Sequence, residues 1–169
     1  MRLYTAKGDA GSTDLLGARV EKDDPRIELI GQLDETSSSL GFARSVATRP
    51  AANELVIEVQ RDLYRIMAEL AFTPEIRPES YLFGADRVER LGVLTDELSD
   101  QIELPRQFVV PGETASGAAF DVARTVARRA ERHAVTLQRQ GHLENPEILR
   151  YLNRLSSLLF MLARAEDAE

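Results

Sequence analysis

The chain has 169 residues, a net charge of −7 at pH 7 and no cysteine. This length is typical of one domain, and the lack of cysteine excludes disulfides and thiolate metal sites. The acidic balance argues against nucleic-acid and membrane-surface partners. No apolar run approaches the roughly 20 residues of a membrane span, and no signal peptide is visible. We therefore expect a cytoplasmic protein.

The first segment of the chain does not follow a helical pattern. Residues 1–23 are rich in Gly, Asp, Ser and Thr. They predict a loop with a short extended piece at Leu3 and Tyr4. We expect a single domain over 1–169, in which this arm precedes a helical bundle over 24–165.

Two long helices with one apolar face each are predicted next. Asp24 suits the N-cap of the first helix and Pro25 its first position. Its inward side chains are expected to be Ile27, Ile30, Leu33, Ser37 and Leu40. The second helix is predicted over 52–72, with an apolar stripe formed by Val56, Val59, Leu63, Met67 and Leu70. Prolines at 74 and 78 mark the break after it.

The spacing of apolar residues predicts three further helices. The third covers 85–101, with inward Val88, Leu91, Thr95 and Leu98. The fourth follows Thr114 as its N-cap and ends near Gln140, before Gly141; its apolar face is Ala119, Val122, Val126, Ala130 and Leu137. The fifth follows the cap Asn145 and ends at about Arg164, with inward Ile148, Leu152, Leu155, Leu159 and Leu162. Five such helices are typical of an all-α antiparallel bundle, a fold that does not define a function.

The fourth helix has a basic face opposite its apolar face. Its members are Arg124, Arg128, Arg132 and Arg139, with Glu131 beside them and Arg129 at the border. The pattern leaves two interpretations open. The arginines could form a solvated polar face, or they could bind a polyanion, because guanidinium groups suit phosphate oxygens.

The N-terminal arm contains glycines, hydroxyls and cations in one short stretch, "YTAKGDAGSTDL". Glycines let backbone N–H groups approach a phosphate, so this stretch could bind an anion; a flexible arm is the other interpretation. The Gly-Lys-Ser/Thr order of a Walker A loop is absent. On the first helix, the carboxylates of Glu28, Asp34 and Glu35 could pair with arginines, hold Mg²⁺ or face water.

Three separated stretches, in order along the chain, match one family. They are "YTAKGDAGSTDL" with "RVEKDDPRIELIGQLDE", "FVVPG" followed by "ARTVARRAER", and "NPEILRYLNRLSSLLFMLAR". Together they resemble the PduO-type ATP:cob(I)alamin adenosyltransferases, the corrinoid adenosyltransferases, over nearly the whole chain. The resemblance implies a five-helix bundle, a homotrimer and active sites between neighbouring subunits.

The resemblance also assigns residues to ligands. It implies that ATP, which carries Mg²⁺ on its phosphates, is bound by Thr5, Lys7, Gly8, Ser12, Thr13, Lys22, Arg128, Arg129, Glu131, Arg132 and Asn153. It implies that Phe108 lies at the corrin face and that Asp34 pairs with Arg124 between subunits beside the corrin. Arg128, Asp34 and Arg124 are the implied catalytic residues.

Three positions depart from the family pattern. Ala6 and Lys7 replace the inner Lys-Thr of the loop, Glu113 stands where a second glycine is common, and "DETSSSLG" lacks the usual Leu-Asn after Asp-Glu. The first departure concerns the geometry of the loop lysine. The other two concern the docking of cobalamin.

The resemblance implies transfer of the 5′-deoxyadenosyl group of ATP to the cobalt of cob(I)alamin, giving adenosylcobalamin and triphosphate. A cobalamin reductase and an adenosylcobalamin-dependent enzyme are the further partners that this reaction implies. Two alternatives stay open. The chain could be an ATP- and corrinoid-binding chaperone or regulator without efficient turnover, or a helical scaffold that binds neither ligand.

Overall fold

The structure, a computed structural model, describes residues 6–104 and 107–168. Its helices are α1 (Pro25–Val46), α2 (Pro50–Ala71), α3 (Ala85–Ser99), α4 (Ala115–Arg139) and α5 (Pro146–Asp167). A hairpin of β1 (Ser12–Leu15) and β2 (Ala18–Glu21) precedes them, and two short 3₁₀ turns, Pro74–Ile76 and Glu79–Tyr81, connect α2 to α3. The all-α, five-helix prediction is confirmed, although α5 continues beyond its predicted end at Arg164.

Three helices begin at the caps that the sequence predicts. A side-chain oxygen of Asp24, Thr114 and Asn145 accepts a backbone N–H of the first helical turn at 2.8, 2.9 and 3.0 Å, respectively. Each bond satisfies an N–H that has no partner inside its helix. At the end of α4, Gly141 adopts a φ of +76°, a left-handed conformation that stops the helix.

Helix α4 is the centre of the bundle. It packs against α1 on one side and α5 on the other, while α2 lies against α1 and α3 against α5. The side of α4 that packs is lined by small, fully buried residues, namely Ala123, Ala127, Ala130 and Ala134. Small side chains let neighbouring helices approach closely, so both faces of the α4 backbone are covered and its remaining edge is presented outward.

Buried polar groups cross-link the bundle away from this edge. Asp62 on α2 is buried, and it accepts hydrogen bonds from Arg87 Nε at 2.8 Å and from the hydroxyl of Tyr151 at 3.1 Å. Burial raises the pKa of the Asp62 carboxyl, although the hydrogen bond and charge of Arg87 act in the opposite direction. These contacts join α2, α3 and α5.

Within the arm, residues 12–21 form a hairpin instead of the predicted loop. Its strands pair antiparallel, and Gly17 turns between them with a φ of +102°. The hairpin is anchored at the end of α2, where Leu16 N donates to Ala71 O at 2.8 Å and Thr73 N donates to Leu16 O at 2.9 Å. The prediction of a loop was wrong because the strands are short and their turn lacks an Asn-Gly type signal. The predicted extended piece at Leu3 and Tyr4 lies outside the described residues.

Two predicted apolar faces are displaced. On α1, Leu29, Leu33 and Leu40 are fully buried, whereas Ile27, Ile30 and Ser37 are only partly buried. On α4, the side chain of Val122 is 56% exposed, while Phe120 is fully buried. Elsewhere Met67, Thr95 and Leu98 are half-buried instead of buried. In α4 the reason is the position of the helix between two neighbours, which shifts its buried arc toward the alanines.

Candidate functional site

The outward edge of α4 presents cations to solvent. Arg128 and Arg132 are exposed, and Arg132 Nη1 donates to the backbone oxygen of Arg128 at 2.9 Å. The Arg128 guanidinium has no hydrogen-bond or ion-pair partner among the described residues, so all its donors are available to a ligand. Arg139 is exposed at the C-terminal end of the same helix.

Arg129 differs from its neighbour because it is already paired. It forms an ion pair with Glu35 of α1, and this hydrogen bond raises the pKa of Arg129 above its ordinary value. One turn along, Gln32 Nε2 lies 3.1 Å from His133 Nδ1, again between α1 and α4. The family resemblance assigned Arg129 to the ATP ligands, and the sequence did not predict its partner Glu35.

Two grooves run between α4 and α5. The first is lined by Glu131 and Asn153, together with Val135, Leu149, Arg150 and Arg154. The second has a volume of about 350 Å³ and extends to α3; its lining includes Arg124, Arg128, Ser156 and Phe160. The structure therefore places four predicted site residues, Glu131, Asn153, Arg124 and Arg128, in grooves along α4 and α5.

An apolar cleft adjoins the second groove. Its volume is about 340 Å³, and Phe108, Val109, Pro111 and Phe160 contribute apolar lining. The side chain of Phe108 is 90% exposed, so it is not a core anchor for its loop. Arg124 and Phe160 line both the groove and the cleft, and they mark the point where the cationic surface meets the apolar one.

Arg124 is hydrogen-bonded to the buried carboxylate of Asp121, which was not predicted from the sequence. Arg124 Nε donates to Asp121 Oδ1 at 2.8 Å, and Arg164 Nη2 of α5 donates to Asp121 Oδ2 at 2.6 Å. Asp121 and Arg164 are both buried. A polar residue three positions before an arginine is a weak signal, and nothing in the sequence relates it to Arg164.

Asp34 lies apart from this group within the chain. It is exposed on α1 and forms no ion pair with another described residue. The pair of Asp34 with Arg124 is therefore not formed inside one subunit, and its formation between subunits stays a prediction.

The arm gathers part of the predicted phosphate loop. Lys22 N donates to Gly11 O at 2.8 Å, and the Lys22 amine lies over Gly8, where Nζ would be 3.2 Å from a Cβ at that position. Ser12 and Thr13 are half-exposed on β1, and Lys7 is exposed. Thr5 lies outside the described residues.

The geometry of the arm follows from its anchoring. Arg19 donates to Asp14 Oδ1 and to Lys7 O, each at 2.7 Å, which ties the loop before β1 to the hairpin. Among the described residues, the backbone bonds that fix the hairpin run to the end of α2, and none runs to the arginine edge of α4. The two halves of the predicted ATP site therefore lie on separately anchored parts of the subunit.

The described residues contain neither a metal-binding cluster nor a membrane-spanning helix. No group of three or more His, Cys, Asp or Glu side chains within them could hold a metal ion. Among the helices that the structure describes, none is both long and apolar enough to cross a membrane.

A helical bundle with a cationic groove beside an apolar cleft defines a protein that can hold an anionic ligand next to a large apolar one. The sequence profile of the cobalamin adenosyltransferase family matches residues 3–166. The chain belongs to this family.

Relatives support this membership over nearly the full chain. The corrinoid adenosyltransferase PduO of Citrobacter freundii is 37% identical over 169 residues, which is 99% of this chain and 50% of that protein. The PduO of Salmonella typhimurium is 36% identical, over 100% of this chain and 51% of that protein. The corrinoid adenosyltransferase of Bacillus subtilis is 34% identical, over 99% of this chain and 88% of its own length. The chain thus spans about half the length of the two PduO relatives.

The fold is similar to that of a solved relative. A variant of the PduO-type ATP:corrinoid adenosyltransferase from Lactobacillus reuteri, in complex with cobalamin and ATP, superposes with a TM-score of 0.91. Its sequence is 30% identical, and the superposition covers 99% of this chain and 94% of that one.

Proposed function

We propose that this chain transfers the 5′-deoxyadenosyl group of ATP to the cobalt of a reduced corrinoid, cob(I)alamin, and releases triphosphate. The observation that carries the proposal is the shared lining of two neighbouring sites. Arg124 and Phe160 line both a groove that contains Arg128 and a cleft that contains Phe108. A polyphosphate and a flat apolar ring can therefore lie side by side, as a transfer between them requires.

The charges in the groove suit the leaving group. Negative charge grows on the triphosphate as its bond to the 5′ carbon breaks, and cations fixed in advance near that position lower the barrier. Arg128 can supply charge-assisted hydrogen bonds, because its guanidinium is not engaged by another described residue. The attacking electron pair comes from the cobalt of the substrate, so the role of the chain is to bind and align the two reactants.

Magnesium would enter with the nucleotide. The acidic residues described by the structure do not form a cluster able to hold a metal by themselves. A Mg²⁺ ion in such a site would be bound mainly by phosphate oxygens and water. Glu131 lies in the first groove, next to the arginine edge in sequence. Its carboxylate could accept a hydrogen bond from a water molecule bound to such an ion.

The complete nucleotide site would form between subunits of a homotrimer. Its arginine half lies on α4, whereas its arm half is anchored at the end of α2 by Leu16 and Thr73. An arm that reaches the α4 edge of a neighbour would close the groove, and a cyclic trimer would repeat this contact three times. Three equivalent sites would result.

The alternative is a binding protein of the same fold without efficient turnover. Glu113, in the turn before α4, is its motivation, because it stands near the cleft where the family commonly has glycine. Such a protein would bind ATP and corrinoid but form no Co–C bond. A reductase and an adenosylcobalamin-dependent enzyme are further partners we propose for the active form, and the cytoplasmic location stays a prediction.

One experiment separates these functions. The protein is mixed with ATP, Mg²⁺ and chemically reduced cobalamin in the dark under anaerobic conditions, and the absorbance change of Co–C bond formation is followed. Stoichiometric release of triphosphate with turnover supports the transferase. Binding of both ligands without a Co–C bond supports the chaperone or regulator, and no binding of either ligand contradicts both proposals.

A further inference from the structure

A series of charged side chains, of which Asp121 and Arg164 are buried and Asp167 and Arg124 partly exposed, connects the end of α5 to Arg124. Arg164 Nη2 donates to Asp121 Oδ2 at 2.6 Å and lies 3.0 Å from Asp167 Oδ2. Asp121 uses its other oxygen to accept the Nε–H of Arg124 at 2.8 Å. Two carboxylates and two guanidinium groups thus alternate along this series, and each charge in it has a neighbour of opposite charge.

Asp167, at the other end of this series, is hydrogen-bonded to Thr114 at the start of α4. Asp167 Oδ1 accepts hydrogen bonds from Thr114 N at 3.1 Å and from Thr114 Oγ1 at 2.8 Å, at the start of α4. Any side chain at Gly117 would collide with the Asp167 carboxylate, so the glycine is what admits it. The Arg164 guanidinium also lies over the Phe160 ring, 5.3 Å from its centroid.

This arrangement fixes how Arg124 can act. Its side chain is 24% exposed, and Asp121 holds it through Nε alone. The two terminal nitrogens have no hydrogen-bond partner among the described residues. These two nitrogens can donate to a ligand or to a neighbouring subunit at the point where the groove and the cleft meet.

We propose that Asp121 and Arg164 are positioning residues for Arg124. Arg164 holds the Asp121 carboxylate, and Asp121 holds the Arg124 guanidinium with its terminal nitrogens toward the corrinoid side of the site. An arginine that is oriented before binding loses less side-chain entropy when its ligand arrives. The inference deepens the proposed function and rests on it for the identity of the ligand.

The test compares the loss of corrinoid binding in two backgrounds. Cob(II)alamin affinity is measured by its visible absorbance in the presence of ATP, for Asp121→Ala and Asp121→Asn, each alone and combined with Arg124→Ala. Asp121→Ala should weaken binding by about tenfold or more, the scale of one charge-assisted hydrogen bond. In the Arg124→Ala background, the same substitution should change binding by less than about twofold.

The matched control is Glu166→Gln. Glu166 is a buried carboxylate on the same turn of α5 as Arg164. It accepts hydrogen bonds from Thr48 and Arg49 and does not contact Arg124. This variant should lower thermal stability without weakening corrinoid binding. An equal loss for Asp121→Ala in both backgrounds, or an equal loss for Glu166→Gln, overturns the positioning role and leaves a structural one.

A second readout does not depend on activity or on the ligand. In arginine-labelled protein, the Arg124 Nε–H signal, assigned with Arg124→Lys, should exchange slowly with water and should exchange about tenfold faster in Asp121→Asn and Arg164→Lys. Fast exchange in the wild type overturns the inference. If the wild type binds no corrinoid, the proposed function fails, whereas this signal still decides whether Asp121 and Arg164 hold Arg124.

Discussion

Arg129 of α4 is ion-paired with Glu35 of α1, while Arg128, the residue before it, is exposed and has no partner among the described side chains. Adjacent residues on a helix point in directions about 100° apart, which places one arginine at the α1 seam and the other at the open groove. Two arginines of the same motif therefore have different surroundings, and we expect only Arg128 to be available to a ligand.

We predict that Arg128→Ala weakens ATP binding more than Arg129→Ala does. Removal of one charge-assisted contact to phosphate should cost about 1.5–3 kcal/mol of binding free energy. Calorimetric titration with ATP in Mg²⁺ measures the difference. Arg139→Ala is the matched control, because it removes the same charge from the same helix beyond the grooves. Equal affinities for the Arg128→Ala and Arg139→Ala proteins would mean that the arginine edge is only a solvated face.

A site formed between subunits predicts complementation. Lys22→Ala removes a cation of the arm, and Arg128→Ala removes one of α4. Each variant alone should have little activity. When both are co-expressed in one trimer, about a quarter of the sites should combine two intact halves. Recovery of activity to that level, with a trimer by light scattering, supports the arrangement. A purely additive mixture of two weak activities, or a fully active monomer, contradicts it.

The helix boundaries could be predicted because their signals are local. Asp24, Thr114 and Asn145 are side chains that satisfy a helix start within three residues, and Gly141 satisfies a helix end by its own backbone conformation. Such interactions do not depend on the rest of the fold. The arginine edge could also be predicted, because an amphipathic helix separates its charged and apolar residues by periodicity alone.

The displaced faces and the charge network depend on tertiary contacts. On α1, Leu29 and Ile30 are equally compatible with a helical stripe, and packing against α4 decides which one is buried. The choice is obscured in the sequence because the true face also contains the polar residues Gln32 and Thr36. The pair of Asp121 with Arg164 joins positions 43 residues apart, and no periodic pattern relates them.

The prediction of an Asp34–Arg124 pair between subunits can be made sharper with the structure. Arg124 already gives its Nε–H to Asp121, so the partner's carboxylate would meet the terminal nitrogens instead. In a double-mutant cycle on turnover, Asp34→Asn and Arg124→Ala should be non-additive by about 1 kcal/mol or more. Asp34→Asn combined with Arg139→Ala should add. A purely additive Asp34–Arg124 cycle would show that the two residues do not pair in this protein.

The last prediction concerns the acid stability contributed by Glu166. Burial by itself raises the pKa of this carboxyl, but hydrogen bonds from the Thr48 hydroxyl, the Thr48 N–H, Ser116 and the Arg49 N–H outweigh it, and the net pKa is below the ordinary value of 4.5. A carboxyl with a lowered pKa in the folded state stabilises the protein above its ordinary pKa and loses this effect as the pH falls through the folded value.

Glu166→Gln should therefore reduce the free energy of unfolding by about 1–3 kcal/mol at pH 7, and the difference from wild type should shrink below pH 4.5. Urea titrations from pH 7 to pH 3 measure it. The difference between variants must be used, because the raised pKa of Asp62 gives the wild-type curve a contribution of opposite sign. A difference that stays constant to pH 3 would show that Glu166 acts by packing and not by its charge.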